Sequence, residues 1–229
     1  MKSKIRGLIA IATVALPMAA SATLVLYRND GNLGTDYMAQ ALGASGDAVT
    51  TTSGSISGYT LSNYNIVVYA NQDFSIPSGD LSQLNAYIAG GGRVIFDDWT
   101  QSDGFNGNEL FTGNSNLNTI TLGPQFSAGI VGTLSVVNTG WGIYSTGMST
   151  TSGGICAATF ENLDCAIVVG NGGSTIVNGF LTDTVSSEQL YLNELTGGSA
   201  VVPEPASLAL VSVALLGIGA VRRRCQKKE

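Results

Sequence analysis

Four aspartates sit at or just beyond the ends of short apolar runs, and their neighbours are suited to binding or proton transfer. Asp30 closes Arg28-Asn29-Asp30, Asp73 lies in Asn71-Gln72-Asp73-Phe74, and Asp97-Asp98-Trp99 follows Val94-Ile95-Phe96. Carboxylates beside Asn and Gln oxygens suit a hard cation such as Ca²⁺. A tryptophan next to hydrogen-bond acceptors suits a sugar ring. Asp97 paired with Asp30 or Asp73 would suit acid–base hydrolysis, one pKa being raised by the other charge. The same residue types also follow strands simply as caps and turns. The spacing does not fix how far apart the carboxylates lie, so no catalytic residue is assigned.

Other chemistry is excluded more firmly. The chain has no histidine, which rules out a Ser-His-Asp or Cys-His site within it and any His-ligated metal. Between Thr23 and Val202 there are 2 basic residues, Arg28 and Arg93, and 14 acidic ones, a net charge of −12. Such a surface repels nucleic-acid backbones and anionic lipid. Charged residues are only 11% of the chain, so Ser, Thr, Asn and Gly must cover the surface. Cys156 and Cys165 are either a disulfide, if the compartment is oxidising, or two small buried thiols. Asn171-Gly172-Gly173 reads as a hairpin turn, and Trp141, in a Gly-rich loop, as a loop anchor or an exposed sugar platform.

The elements that must position these residues alternate in the first half. Thr23–Tyr27, Ala48–Thr52, Asn65–Ala70 and Arg93–Phe96 read as strands. Leu33–Leu42 reads as a helix stopped at Gly43, and a second helix, capped by Ser78, carries Leu81, Leu84, Tyr87 and Ile88. Strand, helix, strand, strand, helix, strand predicts a parallel sheet with right-handed crossovers. Later strands are expected at Thr119–Leu122, Leu134–Val137, Cys156–Phe160, Ala166–Val169 and Thr175–Asn178, with a last helix at Glu188–Leu195. The expected class is α/β: an open, mainly parallel sheet with antiparallel strands in its second half. Ligands on such sheets bind beyond the carboxyl ends of the strands.

The order of elements, with Gly-Gly-Arg-Val-Ile-Phe after a helix and Ile-Val-Val-Gly-Asn-Gly-Gly later, resembles class I glutamine amidotransferase-like, flavodoxin-type domains. Those enzymes carry a nucleophilic Cys on a tight Gly-x-Cys-x-Gly turn after a central strand. Here Phe96 is followed by Asp97-Asp98-Trp99-Thr100 and the His partner is missing, so amidotransferase chemistry is not expected.

The two ends read as addresses. Lys2, Lys4 and Arg6 precede an apolar stretch from Leu8 to Ala20, and Ala20-Ser21-Ala22 is a small-x-small site for signal peptidase with Thr23 first in the mature chain. At the other end Pro203-Glu204-Pro205 precedes an uncharged run, Ala206–Val221, and then Arg222-Arg223-Arg224. A helix over that run would span about 24 Å, short of a roughly 30 Å hydrocarbon core, a gap that snorkelling arginines and local thinning can close. The basic cluster would remain cytoplasmic. This tail resembles the PEP-CTERM sorting signal, whose implied processing enzyme is the membrane transpeptidase exosortase and whose implied setting is exopolysaccharide and biofilm. The expected organisation is a signal peptide (1–22), an acidic α/β domain (23–198), a linker with the motif (199–205), a transmembrane helix (206–221) and a basic tail (222–229). The expected role is that of an exported, exosortase-processed surface or exopolysaccharide-associated protein with a non-catalytic domain. The competing expectation is an extracellular hydrolase or a carbohydrate- or Ca²⁺-binding module using Asp30, Asp73, Asp97 and Asp98.

Overall fold

A computed structural model of the chain describes residues 22–72, 76–99, 104–137, 140 and 144–197. Asp73, Trp141, the signal segment before Ala22 and everything from residue 198 onward lie outside these. Among the described residues no helix is long and apolar enough to cross a membrane; the Ala206–Val221 run is not among them.

The first half alternates as expected. Strand β1 (Leu24–Asn29) leads to helix α1 (Tyr37–Ser45), β2 (Ala48–Thr52), β3 (Ile66–Asn71), helix α2 (Ser78–Ala89) and β4 (Arg93–Asp98). Two helix starts differ from expectation. Helix α1 begins at Tyr37 rather than Leu33, because the Asp36 side chain accepts from Ala39 N and fixes the first turn there. Helix α2 has Pro77, not Ser78, at its cap position, with no side-chain cap bond.

The second half contains β5 (Glu109–Ser115), β6 (Thr119–Leu122), β7 (Leu134–Ser135), β8 (Thr146–Thr150), β9 (Ile155–Phe160), β10 (Cys165–Gly170), β11 (Thr175–Asn178) and helix α3 (Glu188–Leu195). Strands β5 and β8 were not legible in the sequence. They pair with each other, and β5 is largely exposed and polar. All belong to one sheet whose main path runs β2-β1-β3-β4-β11-β10-β9-β6-β7. The pairs β1–β2, β1–β3, β3–β4 and β4–β11 are parallel. Beyond β11 every pair is antiparallel. Cys156 in β9 and Cys165 in β10 are joined by a disulfide, with Cα atoms 5.5 Å apart.

Strand β3 is buried along its whole length, so its alternate side chains feed two cores. Ile66, Val68 and Ala70 join Val25, Ile95, Met38, Leu42, Leu190 and Leu195 under α1 and α3. Val67 and Tyr69 join Leu26, Val94, Phe96, Leu84 and Ile88 under α2. Tyr69, Phe96 and Phe105 stack in series, with ring centroids 5.8 Å and 4.2 Å apart. The second core closes on a buried carboxylate. Asp80, in the first turn of α2, accepts from the Tyr69 hydroxyl (2.9 Å), from Ile56 N (3.1 Å) and from the Ser55 hydroxyl.

Both ends of the described domain lie at the amino edge of the parallel strands. Leu24 N donates to Asn65 Oδ1 (2.9 Å), and Asn65 N donates to Leu24 O (2.8 Å), just ahead of β3. At the other end the Arg93 guanidinium, at the start of β4, donates to the carbonyls of Leu195 (2.8 Å) and Glu194 at the end of α3.

Replacing Asp80 strands two buried donors, the Tyr69 hydroxyl and Ile56 N, and each buried unmet donor costs about 1–3 kcal/mol. Asp80→Ala is therefore expected to lower unfolding stability by at least about 2 kcal/mol in urea titrations, with the exposed neighbour Ser82→Ala within about 0.5 kcal/mol of the parent.

Candidate functional site at the carboxyl edge of the sheet

Strand order reverses between β1 and β3: the chain leaves β1 towards β2 on one side and returns to β3 on the other. In open α/β sheets the crevice above such a switch point is the usual ligand position. Here it is filled by the protein's own polar groups. Arg28, the last buried side chain of β1, lies with its guanidinium carbon 4.4 Å from the Tyr69 ring centroid. It donates to Ala70 O at 2.9 Å and to Asn71 Oδ1 at 3.5 Å, and pairs with Asp30 Oδ2 at 2.9 Å. Asp30 also accepts from Gln72 N (2.7 Å). The Gln72 amide donates to Asn32 Oδ1 (2.9 Å) and Thr182 Oγ1 (3.2 Å). Trp99 is buried, and its indole N–H donates to Gln72 O at 3.2 Å. Its ring therefore packs inside the domain and offers no platform to a sugar.

Asp97 and Asp98 do not work as a pair. Both are fully buried, but neighbouring residues on a strand face opposite ways. Asp98 lies on the α2 side, where Asn71 Nδ2 donates to it at 3.3 Å. Asp97 lies on the α3 side, where Asn178 Nδ2 donates to Asp97 Oδ1 (2.6 Å) and to Glu194 Oε2 (3.0 Å). One amide thus bridges two buried carboxyls. Desolvation pushes the Asp97 pKa up to about 7, opposed by the Asn178 hydrogen bond and reinforced by the charges of Asp36 and Asp98. Desolvation and then the Asp97 charge raise Glu194 well above its ordinary value, opposed by Asn178 and Arg93. The physical meaning is that this pair retains a proton at neutral pH.

A third acidic position, Asp36, borders an open depression of about 640 Å³ with Tyr27, Asn29, Asn32 and Thr51. Its carboxylate is already engaged by Tyr27 OH (2.7 Å), Asn29 Nδ2 (2.8 Å), Asn32 Nδ2 (3.1 Å) and Ala39 N (2.9 Å). Burial, then the Asp36 charge, raises the Tyr27 pKa, so that hydroxyl stays a donor. Glu109, at the start of β5, is raised to about 7 by burial, with its own and Gly107's backbone N–H groups opposing. Among the described residues no three Asp, Glu or Cys side chains converge to hold a metal ion.

Sequence reading missed Asn178, Glu194, Asp36 and Asp80. One signal was available: Glu194 lies four residues after Leu190 and three after Tyr191, on the helix face that Leu195 shares, where a charge is out of place.

Comparison with known proteins separates the tail from the domain. Residues 201–224 match the PEP-CTERM protein-sorting motif. That motif implies an exported protein, processed by exosortase and held transiently in the membrane by its C-terminus. No curated protein sequence matches the chain. Among solved structures, the chain is similar to a protein assigned as a GMP synthase subunit from Thermoplasma acidophilum. The TM-score is 0.58 at 10% identity, over 79% of this chain and 96% of that one. It is also similar to glutamine amidotransferases from Methylobacillus flagellatus (TM-score 0.54, 10% identity, 77% and 96% covered) and Thermotoga maritima (0.53, 8%, 70% and 76%). These likenesses establish a glutamine amidotransferase-like, flavodoxin-type fold.

Two outcomes are expected. Asp97 and Glu194 hold a proton more tightly when folded than when unfolded. The Asp97 contribution is therefore complete below about pH 4 and is lost as pH rises through about 7, and the Glu194 contribution is likewise present in acid and lost as pH rises. Glu194→Gln supplies a permanent neutral donor, so the parent's loss of stability between pH 5 and pH 8 should be clearly smaller in the variant, as read by thermal melts across that range. Arg28→Met strands Asp30 and the Ala70 carbonyl, and should cost about 3 kcal/mol in urea titrations.

Proposed function

We propose that this chain is an exported, exosortase-processed surface protein whose α/β domain is non-catalytic and resides in or beside the exopolysaccharide matrix. One observation carries the reading: the sorting motif begins at residue 201, shortly after α3 ends at Leu195. A folded domain is thus followed directly by a cleavable address. In this reading residues 1–22 are removed by signal peptidase, Thr23 becomes the first residue, and 199–205 link the domain (23–198) to a membrane helix at 206–221. Arg222, Arg223 and Arg224 hold that helix's cytoplasmic end. Two prolines flanking Glu204 favour an extended backbone, the form a protease groove accepts.

The non-catalytic part rests on how the carboxylates are used. A general acid or base must reach a bound substrate, whereas Asp97 and Asp98 are buried, Asp30 is committed to Arg28 and Gln72 N, and Asp36 already accepts four bonds. Asp73 remains a candidate only for the hydrolase alternative.

Intact mass of the protein from its host's envelope and medium tests the proposal. The expected species runs from Thr23 to a C-terminus near Pro203–Pro205, and it should disappear from a host lacking exosortase. A mature protein that retains Arg222–Glu229 in both hosts overturns the sorting reading. Turnover of an extracellular glycan or peptide that is abolished by Asp97→Asn or Asp98→Asn, with the melting temperature unchanged, overturns the non-catalytic one.

A further inference from the structure

The crevice above the β1–β3 switch point is occupied by protein groups, and a separate groove opens at the amino edge. Between α2 and the loop around a short 3-10 turn at Leu61–Asn63 runs a groove of about 770 Å³. Three partly buried tyrosines, Tyr59, Tyr64 and Tyr87, line it together with Gln83 and Asn65. The groove is held in shape by contacts across it. The Gln83 amide donates to Tyr59 O (2.6 Å) and the Tyr87 hydroxyl to Tyr64 O (2.8 Å). The Tyr59 and Tyr64 rings meet edge to face, centroids 6.4 Å apart, and Leu61 between them is buried. Gly92 has no side chain because any Cβ there would collide with the Tyr87 ring. A ligand would therefore meet rings already positioned and would not have to order the loop, which removes one of the costs of binding.

The chemistry of the lining defines the ligand. The Tyr59 and Tyr64 hydroxyls have no partner among the described residues, so neutral donors and acceptors remain free. The single charge on the lining, Arg93, has its guanidinium spent on the carbonyls of Glu194 and Leu195. No carboxylate lines the groove to attract a cation. The surrounding domain carries −12 and repels polyanions. Aromatic bodies with polar tips, neutral amides and an open-ended shape fit a ligand with apolar C–H faces and a rim of hydroxyls.

We propose that the Tyr59–Tyr64–Tyr87 groove binds a neutral polysaccharide by stacking its pyranose rings and bonding its hydroxyls. This deepens the matrix reading above and depends on it only for where the glycan comes from; binding is measured apart from sorting. The test is calorimetric titration of the full chain, kept in a detergent without a sugar headgroup, with cello-, laminari- and manno-oligosaccharides, and with oligogalacturonate as the charged comparator. At least one neutral series should bind. Tyr59→Ala and Tyr64→Ala should each weaken it about tenfold or more, and Tyr64→Phe by less. Ala86→Arg, which fills the groove from an exposed position of α2 without removing packing, should abolish binding even if a tyrosine variant fails to fold. Thr51→Ala, at the carboxyl-edge depression, should leave it unchanged. The proposal is overturned if no neutral series binds, if only oligogalacturonate binds, if Ala86→Arg binds like the parent, or if Thr51→Ala is the variant that loses binding. Glycan binding by a chain whose tail is never cut would leave this proposal standing and remove the sorting one.

Discussion

The fold turns on one buried guanidinium. Arg28 is one of two cations in a domain with 14 acidic residues, and it sits where β1 and β3 end side by side. Its fork takes the Ala70 carbonyl and the Asp30 carboxylate, while its flat face lies on Tyr69. Tyr69 in turn reaches Asp80 and so fixes α2, and Asp30 reaches Gln72 and so fixes the chain after β3. A lysine would supply a charge there but neither the fork nor the flat stacking surface. Much of the polar network on the α2 side of the sheet follows from that single placement.

The scaffold is similar to that of amidotransferase folds, but the site is filled differently. After β4, where such enzymes turn tightly to present a nucleophile, this chain continues the strand through Asp97 and Asp98 and buries both. The switch point keeps its polarity, but each group faces another protein group. The carboxyls on the α3 side, both raised by burial, are bridged by the Asn178 amide, an arrangement that holds α3 to the sheet. Buried ionisable groups here serve as connectors between elements.

The parallel half of the fold was legible because its strands are short, apolar and β-branched and its helices show a 3.6-residue period. The antiparallel half was less so. Strand β5 is held to β8 through Glu109, Leu110, Phe111 and Ser115, with an irregular register across the exposed Thr112, Gly113 and Asn114, and not by a buried face. No local pattern marks such a strand. The strand-end aspartates were found, but their grouping was not. Strand alternation alone separates Asp97 from Asp98, whereas the pairing of Asp97 with Glu194 joins residues far apart in sequence and appears only once β11 is seen beside β4. The start of α1 shifted for a local reason, a capping bond from Asp36 that outweighs the apolar Leu33 before it.

The shared exit of both ends at the amino edge has a mechanical consequence. A domain held by its tail feels any drag from flow or matrix through the C-terminal end of α3. That end is fastened to the sheet by the two carbonyls that Arg93 grips. Load passed inward would reach β4, which has parallel neighbours on both sides. Pulled along its own length, such a strand must slide, breaking many bonds together rather than one after another. Resistance to force is governed by the unfolding rate, and here it would rest on the Arg93 clasp and the Asn178–Glu194 bond that tie α3 to the sheet, and on the shear of a central strand.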